Sequence, residues 1–384
     1  MPSGPGEVLD YIRTHGHVTR GDITDHTGLS RVTVAQRVDA LMAAGIIAPG
    51  DEVVATGGRR RGTLVFNTGH STVLTVAVDT THTRLCLTDL AGGIVAEKAL
   101  QTRIADGPST TLDEIAAAAR WLFEDLGLSP DEACGMGVSV PGPIDPESGR
   151  PSQPPMMPGW DGYPIAEHLQ GALATVPVHT ANDADVAALG EHATGFPRTR
   201  SLCLVKVATG IGTGIVIDGR LYPGADGGAG DIGHVRVRRD SDALCQCGGR
   251  GCLAALASGR AIARALTELG TPARSGREVG ELIARGDPQA ARLTQDAGRL
   301  IGEVLATVVS LLNPEVVLIG GALSSAPLLA GVRETFYSMA LPRATRHMVL
   351  QLGSLGEDAA TVGLTRLVVD HEFSSDAVNA RLRG

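Results

Sequence analysis

Apolar residues in the first 67 positions recur at helical spacing in three short runs and then switch to strand-like segments. Val8, Leu9 and Ile12 share one helical face, and Gly16 closes that helix. Thr19 can cap a second short helix that carries Ile23 and stops at Gly28. Ser30 caps a third, with Gly45 as its terminator; there Val34, Val38 and Leu41 fall at i, i+4 and i+7 and face inward. The outer face of that helix is left with Arg31, Thr33, Gln36 and Arg37, which can bond phosphates or base edges. Ile46–Ile47 and Leu64–Phe66 flank a polar stretch that ends in GGRRRG, the pattern of a β-hairpin with a flexible basic tip. The order helix, helix-turn-helix, basic hairpin predicts a winged helix-turn-helix over residues 1–67. Its expected contacts with double-stranded DNA are Ser30, Arg31, Thr33, Gln36 and Arg37 on the helix and Arg59, Arg60 and Arg61 on the wing.

The pattern changes at Val73. Two strand-like runs and a third after Gly92-Gly93 precede a helix over 111–126 and a buried strand in GMGVSVPGPID. Strands alternating with helices and broken by glycine-rich turns then continue to a helical C-terminal part, which predicts α/β layers with ligand sites at strand ends. A length of 384 residues fits two or three domains, and 43% hydrophobic residues suffice for their cores. With only 3% aromatics, Ala, Val, Leu and Ile must do the packing.

The net charge of −9 argues against a nucleic-acid partner until it is placed along the chain. Residues 1–67 carry seven Arg and seven acids, so the whole acidic excess lies beyond them. No apolar run approaches the roughly 20 residues needed to cross a bilayer, and the first residues, MPSGPGEVLD, do not read as a signal peptide. The expectation is a cytoplasmic protein with no membrane partner.

Three of the six cysteines cluster as C-x-C-x4-C (Cys245, Cys247, Cys252), with His234 eleven positions before the first. Three thiolates and one imidazole make a closed tetrahedral Zn²⁺ site with no open position for a metal-bound water, hence a structural one. Asn182-Asp183 follows an apolar strand and precedes an Ala-rich helix. The pair reads as a helix cap, as a sugar-binding carboxylate, or as both.

Four segments in order, VPGPID, NDADVAALGEH, ATGIGTGIVIDGRLYPGADGGAGDIGH and CQCGGRGC, make the chain resemble the ROK family of transcriptional repressors and sugar kinases. The resemblance spans nearly the whole chain, including the winged helix that the family's repressors carry and its kinases lack. It implies a two-lobed α/β domain of the actin/hexokinase-like type, with lobes over 68–180 and 181–384 and a C-terminal helix free to return to the first lobe. It also implies zinc on His234, Cys245, Cys247 and Cys252, and an effector cleft built from Asn182, Asp183, Asp231 and His234. Asp183 stands at the position of the kinases' catalytic base. Two contacts depart from the kinase pattern: Asp231 replaces a Glu, and Ala254 replaces a sugar-binding Glu. The first phosphate loop of the kinases, D-x-G-G-T, reads Asp79-Thr80-Thr81-His82-Thr83, which puts side chains where backbone N–H groups should approach ATP.

The expectation is therefore a homo-oligomeric repressor of carbohydrate uptake or utilisation genes, released by a sugar or oligosaccharide effector, with no catalysis and no ATP. The alternatives are an ATP-dependent hexose kinase with a fused DNA-binding domain, and a repressor governed by a protein partner.

Overall fold

The computed structural model describes residues 4–56, 59–173 and 176–383, with the side chains of 52–61 outside that description. Three helices open the chain: α1 (Pro5–His15), α2 (Arg20–Thr27) and α3 (Arg31–Ala43). Each stops where the sequence supplies a stop. Gly16 and Gly28 sit at φ +73° and +66°, and Gly45, just past α3, at +71°. Strands β1 (Ile47–Thr56) and β2 (Arg59–Phe66) form the antiparallel wing, and Val18 bridges to Leu64 at its inner end. The side chains of Arg59, Arg60 and Arg61 lie outside the described residues, although their backbone opens β2.

The body is built on two five-stranded sheets of the same plan. In the first, β3 (Thr72–Val78), β4 (Thr83–Asp89) and β5 (Ile94–Leu100) form an antiparallel meander. After α4 (Pro108–Asp125), β6 (Ala133–Val140) adds parallel to β3, and after α5 (Ile165–Leu173), β7 (Val178–Asn182) adds parallel to β6. The chain then crosses through α6 (Asp183–Gly195). In the second sheet, β8 (Ser201–Val207), β9 (Ile211–Ile217) and β10 (Arg220–Leu221) repeat the meander. Helices α7 (Leu253–Ala257), α8 (Gly259–Glu268), α9 (Gly276–Ala284) and α10 (Pro288–Leu312) follow. β11 (Val316–Gly320) pairs parallel to β8, and after α11 (Ala326–Met339) and α12 (Pro342–Thr345), β12 (Val349–Leu352) pairs parallel to β11. The chain ends in α13 (Asp358–Glu372) and α14 (Ser375–Arg381).

Helices α4 and α5 cover one face of the first sheet, and α8 to α11 cover one face of the second. The facing sides meet α13 and α6, which pack on each other between the sheets. Small residues allow the contact: a Cβ on Gly363 would lie 1.7 Å from the Val186 carbonyl oxygen, and one on Gly190 2.2 Å from that of Ala359.

The C-terminal helices also complete the head. Val368, Val369, Phe373 and Val378 share one apolar cluster with Val8, Leu9, Ile12, Ile23, Val34 and Leu41. Phe373 meets Phe66 of the wing edge-on at 5.3 Å between ring centroids. Asn379 Oδ1 accepts the Gly6 N–H at 2.8 Å, and Arg13 pairs with Asp370 at 2.5 Å. Among the described residues no helix is long and apolar enough to span a membrane.

Candidate functional site

In the head, Thr19 and Asp22 form a reciprocal capping box at the start of α2, and Ser30 Oγ accepts the Thr33 N–H at 3.1 Å to start α3. An ion pair between Arg20 and Asp39 at 2.8 Å ties the two helices together. Val34, Val38 and Leu41 are buried, which turns Arg31 and Gln36 fully outward and leaves Thr33 and Arg37 partly covered. Ser30 and Thr33 are joined hydroxyl to hydroxyl at 2.9 Å, so these two serve the cap before any DNA contact. Val32 is missing from the residues singled out in the sequence. It is 68% exposed beside Arg31, out of phase with the buried set, and that misplaced apolar residue was the available signal.

In the body, β7 delivers Asn182 and Asp183 to the N-terminus of α6. Asn182 caps the helix by accepting the N–H groups of Ala184 and Asp185, and its amide donates to the Gly142 carbonyl at 3.0 Å. Its hydrogen-bonding capacity is thus largely spent inside the protein. Asp183 is ion-paired with Lys206 of β8, and both side chains are less than one-fifth exposed. Burial alone would push Lys206 down, but the carboxylates of Asp183 and Asp79 outweigh it and hold the ammonium charged. Lys206, the one charge in the run LCLVKV, was overlooked in the sequence.

Asp185, two positions further into α6, has a buried Oδ1 with no hydrogen-bond partner among the described residues. Burial and then the negative charges of Asp183 and Asp231 raise its pKa to about 7. Asp231 precedes the short turn Ile232–His234, and Ala254 lies beside it: a Cβ on Gly233 would sit 3.4 Å from that of Ala254.

The loops that follow β3 and β8 meet. Thr80 Oγ1 donates to Thr209 Oγ1 at 3.3 Å, and His82 Nε2 lies 3.0 Å from the Arg277 guanidinium, which also pairs with Glu357 at 2.7 Å. The backbone of Ala208 and Thr209 is held from below by Gly259 and Gly276, where a Cβ would come within 2.5 and 3.0 Å of Ala208.

His234, Cys245, Cys247 and Cys252 converge, all four ligand atoms lying within 4.8 Å of one another. Cys245 Sγ is 3.5 Å from His234 Nδ1, and Cys247 Sγ is 3.8 Å from Cys252 Sγ. A tetrahedron with metal–sulfur bonds of about 2.3 Å has sulfur–sulfur edges of about 3.8 Å, so the donor set fits such an ion. Cys86 and Cys203 are buried in the sheets and take no part.

A helix-turn-helix head whose core is shared with a body of two like sheets, in which Asp79, Asp183, Asp185 and Asp231 gather near Lys206, defines a class of one-chain, two-module proteins. The chain belongs to the ROK family, whose model matches residues 73–371, and a winged helix-turn-helix DNA-binding model matches residues 6–48. It is 28% identical to the xylose repressor of Bacillus subtilis (strain 168) over 369 residues, 95% of this chain and 94% of that protein. It is 26% identical to the DNA-binding transcriptional dual regulator NagC of Escherichia coli (strain K12), covering 87% and 84%. A glucokinase of Halalkalibacterium halodurans is 31% identical but covers 79% of this chain and 97% of its own. Among solved structures, a ROK family transcriptional regulator homologous to E. coli MLC superposes with a TM-score of 0.82 over 99% of this chain and 98% of its own at 23% identity, which shows the fold including the head.

Proposed function

We propose that the protein is a sequence-specific transcriptional repressor of carbohydrate uptake or utilisation genes, released when a sugar or oligosaccharide occupies the cleft at Asp183 and Asp231. The observation that carries this reading is the continuity of α13: one stretch packs on α6, which begins at Asp183, and the other completes the core of the DNA-binding head. A cleft ligand that favours one lobe arrangement therefore has a packed route to the recognition helices. The names of the relatives that span both modules, a xylose repressor and NagC, support the same reading.

In a homo-oligomer, paired α3 helices would enter successive major grooves roughly one helical turn apart. Arg31, Val32, Gln36 and Arg37 would meet base edges and phosphates, and Arg59, Arg60 and Arg61 would flank them from the wing. His234, Cys245, Cys247 and Cys252 would hold a structural Zn²⁺ that fixes the loop following Asp231. His234 thereby links the metal to the effector cleft.

Catalysis is not part of this reading. A base must be free to take a proton, and Asp183 is engaged by the buried ammonium of Lys206. In the first loop His82, where the kinase pattern has a glycine, contacts Arg277, and Thr80 donates to Thr209, so these side chains are engaged within the protein. Such a protein works in the cytoplasm on double-stranded DNA. Electrophoretic mobility shift with the duplex upstream of its own gene tests the reading. Binding that is lost in Arg31→Ala/Arg37→Ala supports it; no binding, or ATP-dependent sugar phosphorylation lost in Asp183→Asn, overturns it.

A further inference from the structure

Beside the Cys/His cluster, Arg236, Arg239 and Arg250 line a half-open surface hollow of about 670 Å³ together with Gly248 and Gly249. We propose that this hollow binds a small phosphorylated anion, at a site separate from the sugar cleft.

Charge is the first argument. The fourth arginine of the segment, Arg238, is neutralised by a two-pronged pair with Glu303 at 2.7 and 2.9 Å. Arg236 and Arg239 make no side-chain hydrogen bond or ion pair among the described residues. Arg250 donates to the Asp242 carbonyl at 2.7 Å and lies 3.6 Å from its fully exposed carboxylate. A concave wall of three guanidinium groups, two of them unpaired, in the part of the chain that carries the whole acidic excess is a local reversal of charge. Planar guanidinium forks match the oxygens of a phosphoryl group, which can accept from several forks at once, whereas one fork saturates a carboxylate. The volume is that of a site for a ligand of sugar-phosphate size, within the usual range of about 300–1,000 Å³.

Rigidity is the second. Arg236 bridges to Cys252 and Leu244 to Arg250, and Cys245 N–H donates to the Gly249 carbonyl at 2.8 Å. Gly251 is pressed against this ladder so closely that a Cβ would lie 1.8 Å from the Arg238 carbonyl oxygen. The hydrogen bonds that gather the cysteines thus also fix the backbones that carry Arg236 and Arg250, from which their exposed side chains can close on an anion. The source of the phosphoryl group also matters. The loop packs on the second lobe, through Leu253 N–H to the Val235 carbonyl and through α7 against α10, while the head shares its core with α13 and α14. A free phosphorylated molecule fits this placement better than the phosphates of bound DNA.

Calorimetric titration of the full chain with inorganic pyrophosphate tests the site. Saturable binding with one site per chain is expected. It should weaken by about tenfold or more in Arg236→Gln/Arg239→Gln, as two charge-assisted partners are lost, with bound metal and unfolding temperature unchanged. An absence of saturable binding, or equal binding to the variant, overturns the proposal. Operator affinity measured on the same variant separates the sources: if DNA binding falls in step without pyrophosphate present, the arginines serve the DNA backbone and the small-anion site is wrong. Neither titration depends on any sugar, so failure here leaves the repressor reading standing.

Discussion

Gly363 of α13 lies against Val186 of α6 so closely that a methyl group on it would sit 1.7 Å from the Val186 carbonyl oxygen. Backbone faces backbone at this point, and neither side can yield by turning a side chain. The contact joins the helix that begins at Asp183 to the helix that ends in the head's core, so it lies on the packed route that the proposed function requires.

Gly363→Ala should therefore force the two helices apart. We expect a loss of about 1–3 kcal/mol of stability, read by chemical denaturation, together with a weaker effect of sugar on DNA binding. A variant that matches the parent in both quantities is not compatible with the close packing described.

The latch between the chain's ends makes a second prediction. Asn379 accepts from Gly6 N–H and donates to Glu7, so Asn379→Leu leaves a buried N–H without a partner, at a cost of about 1–3 kcal/mol. Hydrogen exchange should quicken in α1 and α14 and stay unchanged in the second sheet. Uniform quickening across the whole chain would mean that the latch is not local.

Asp185 gives a pH dependence with a definite sign. Its folded pKa is raised to about 7, by burial first and then by Asp183 and Asp231, whereas the unfolded carboxyl titrates near 4. A raised pKa means that the folded state favours the protonated form. The contribution to stability is fully present below about pH 4 and is lost as the pH rises toward 7. Asp185→Asn should then stabilise the protein by at least about 1 kcal/mol at pH 8 and by little at pH 4. Thermal unfolding at the two pH values checks this, and a gain that is the same at both would contradict it.

Metal removal is the fourth. Elemental analysis should find one zinc per chain, and Cys252→Ser should lose it. Stripping the ion should lower the unfolding temperature and loosen residues 234–252 while the head keeps its helices. A protein that purifies without metal and is indifferent to chelators would remove zinc from the account.

Much of this molecule was legible in its sequence because the signals were local. Caps at Thr19 and Ser30, stops at Gly16 and Gly28, and the inward row Val34, Val38 and Leu41 each depend on neighbours within a few residues. The C-x-C-x4-C run is equally local, and only His234 had to be brought from a distance. What escaped was long-range. Lys206 meets Asp183 from 23 positions away, and Arg277 reaches His82 from 195. The matching plans of the two sheets leave no repeat in the sequence that composition or spacing reveals, because they share strand order and not residues. Nor could spacing show that Phe373 and Val378 finish a core begun by Val8.

In the proposed function the sugar site and the DNA-binding face report to each other. Fluorescence anisotropy of a labelled operator duplex, titrated with the full chain at fixed ionic strength with and without a panel of mono- and oligosaccharides, tests it most directly. One sugar class should weaken operator binding by about 5–150-fold, and Asp183→Asn should abolish the response while leaving sugar-free DNA binding intact. Operator binding that no sugar alters, or a response that survives Asp183→Asn unchanged, would contradict it.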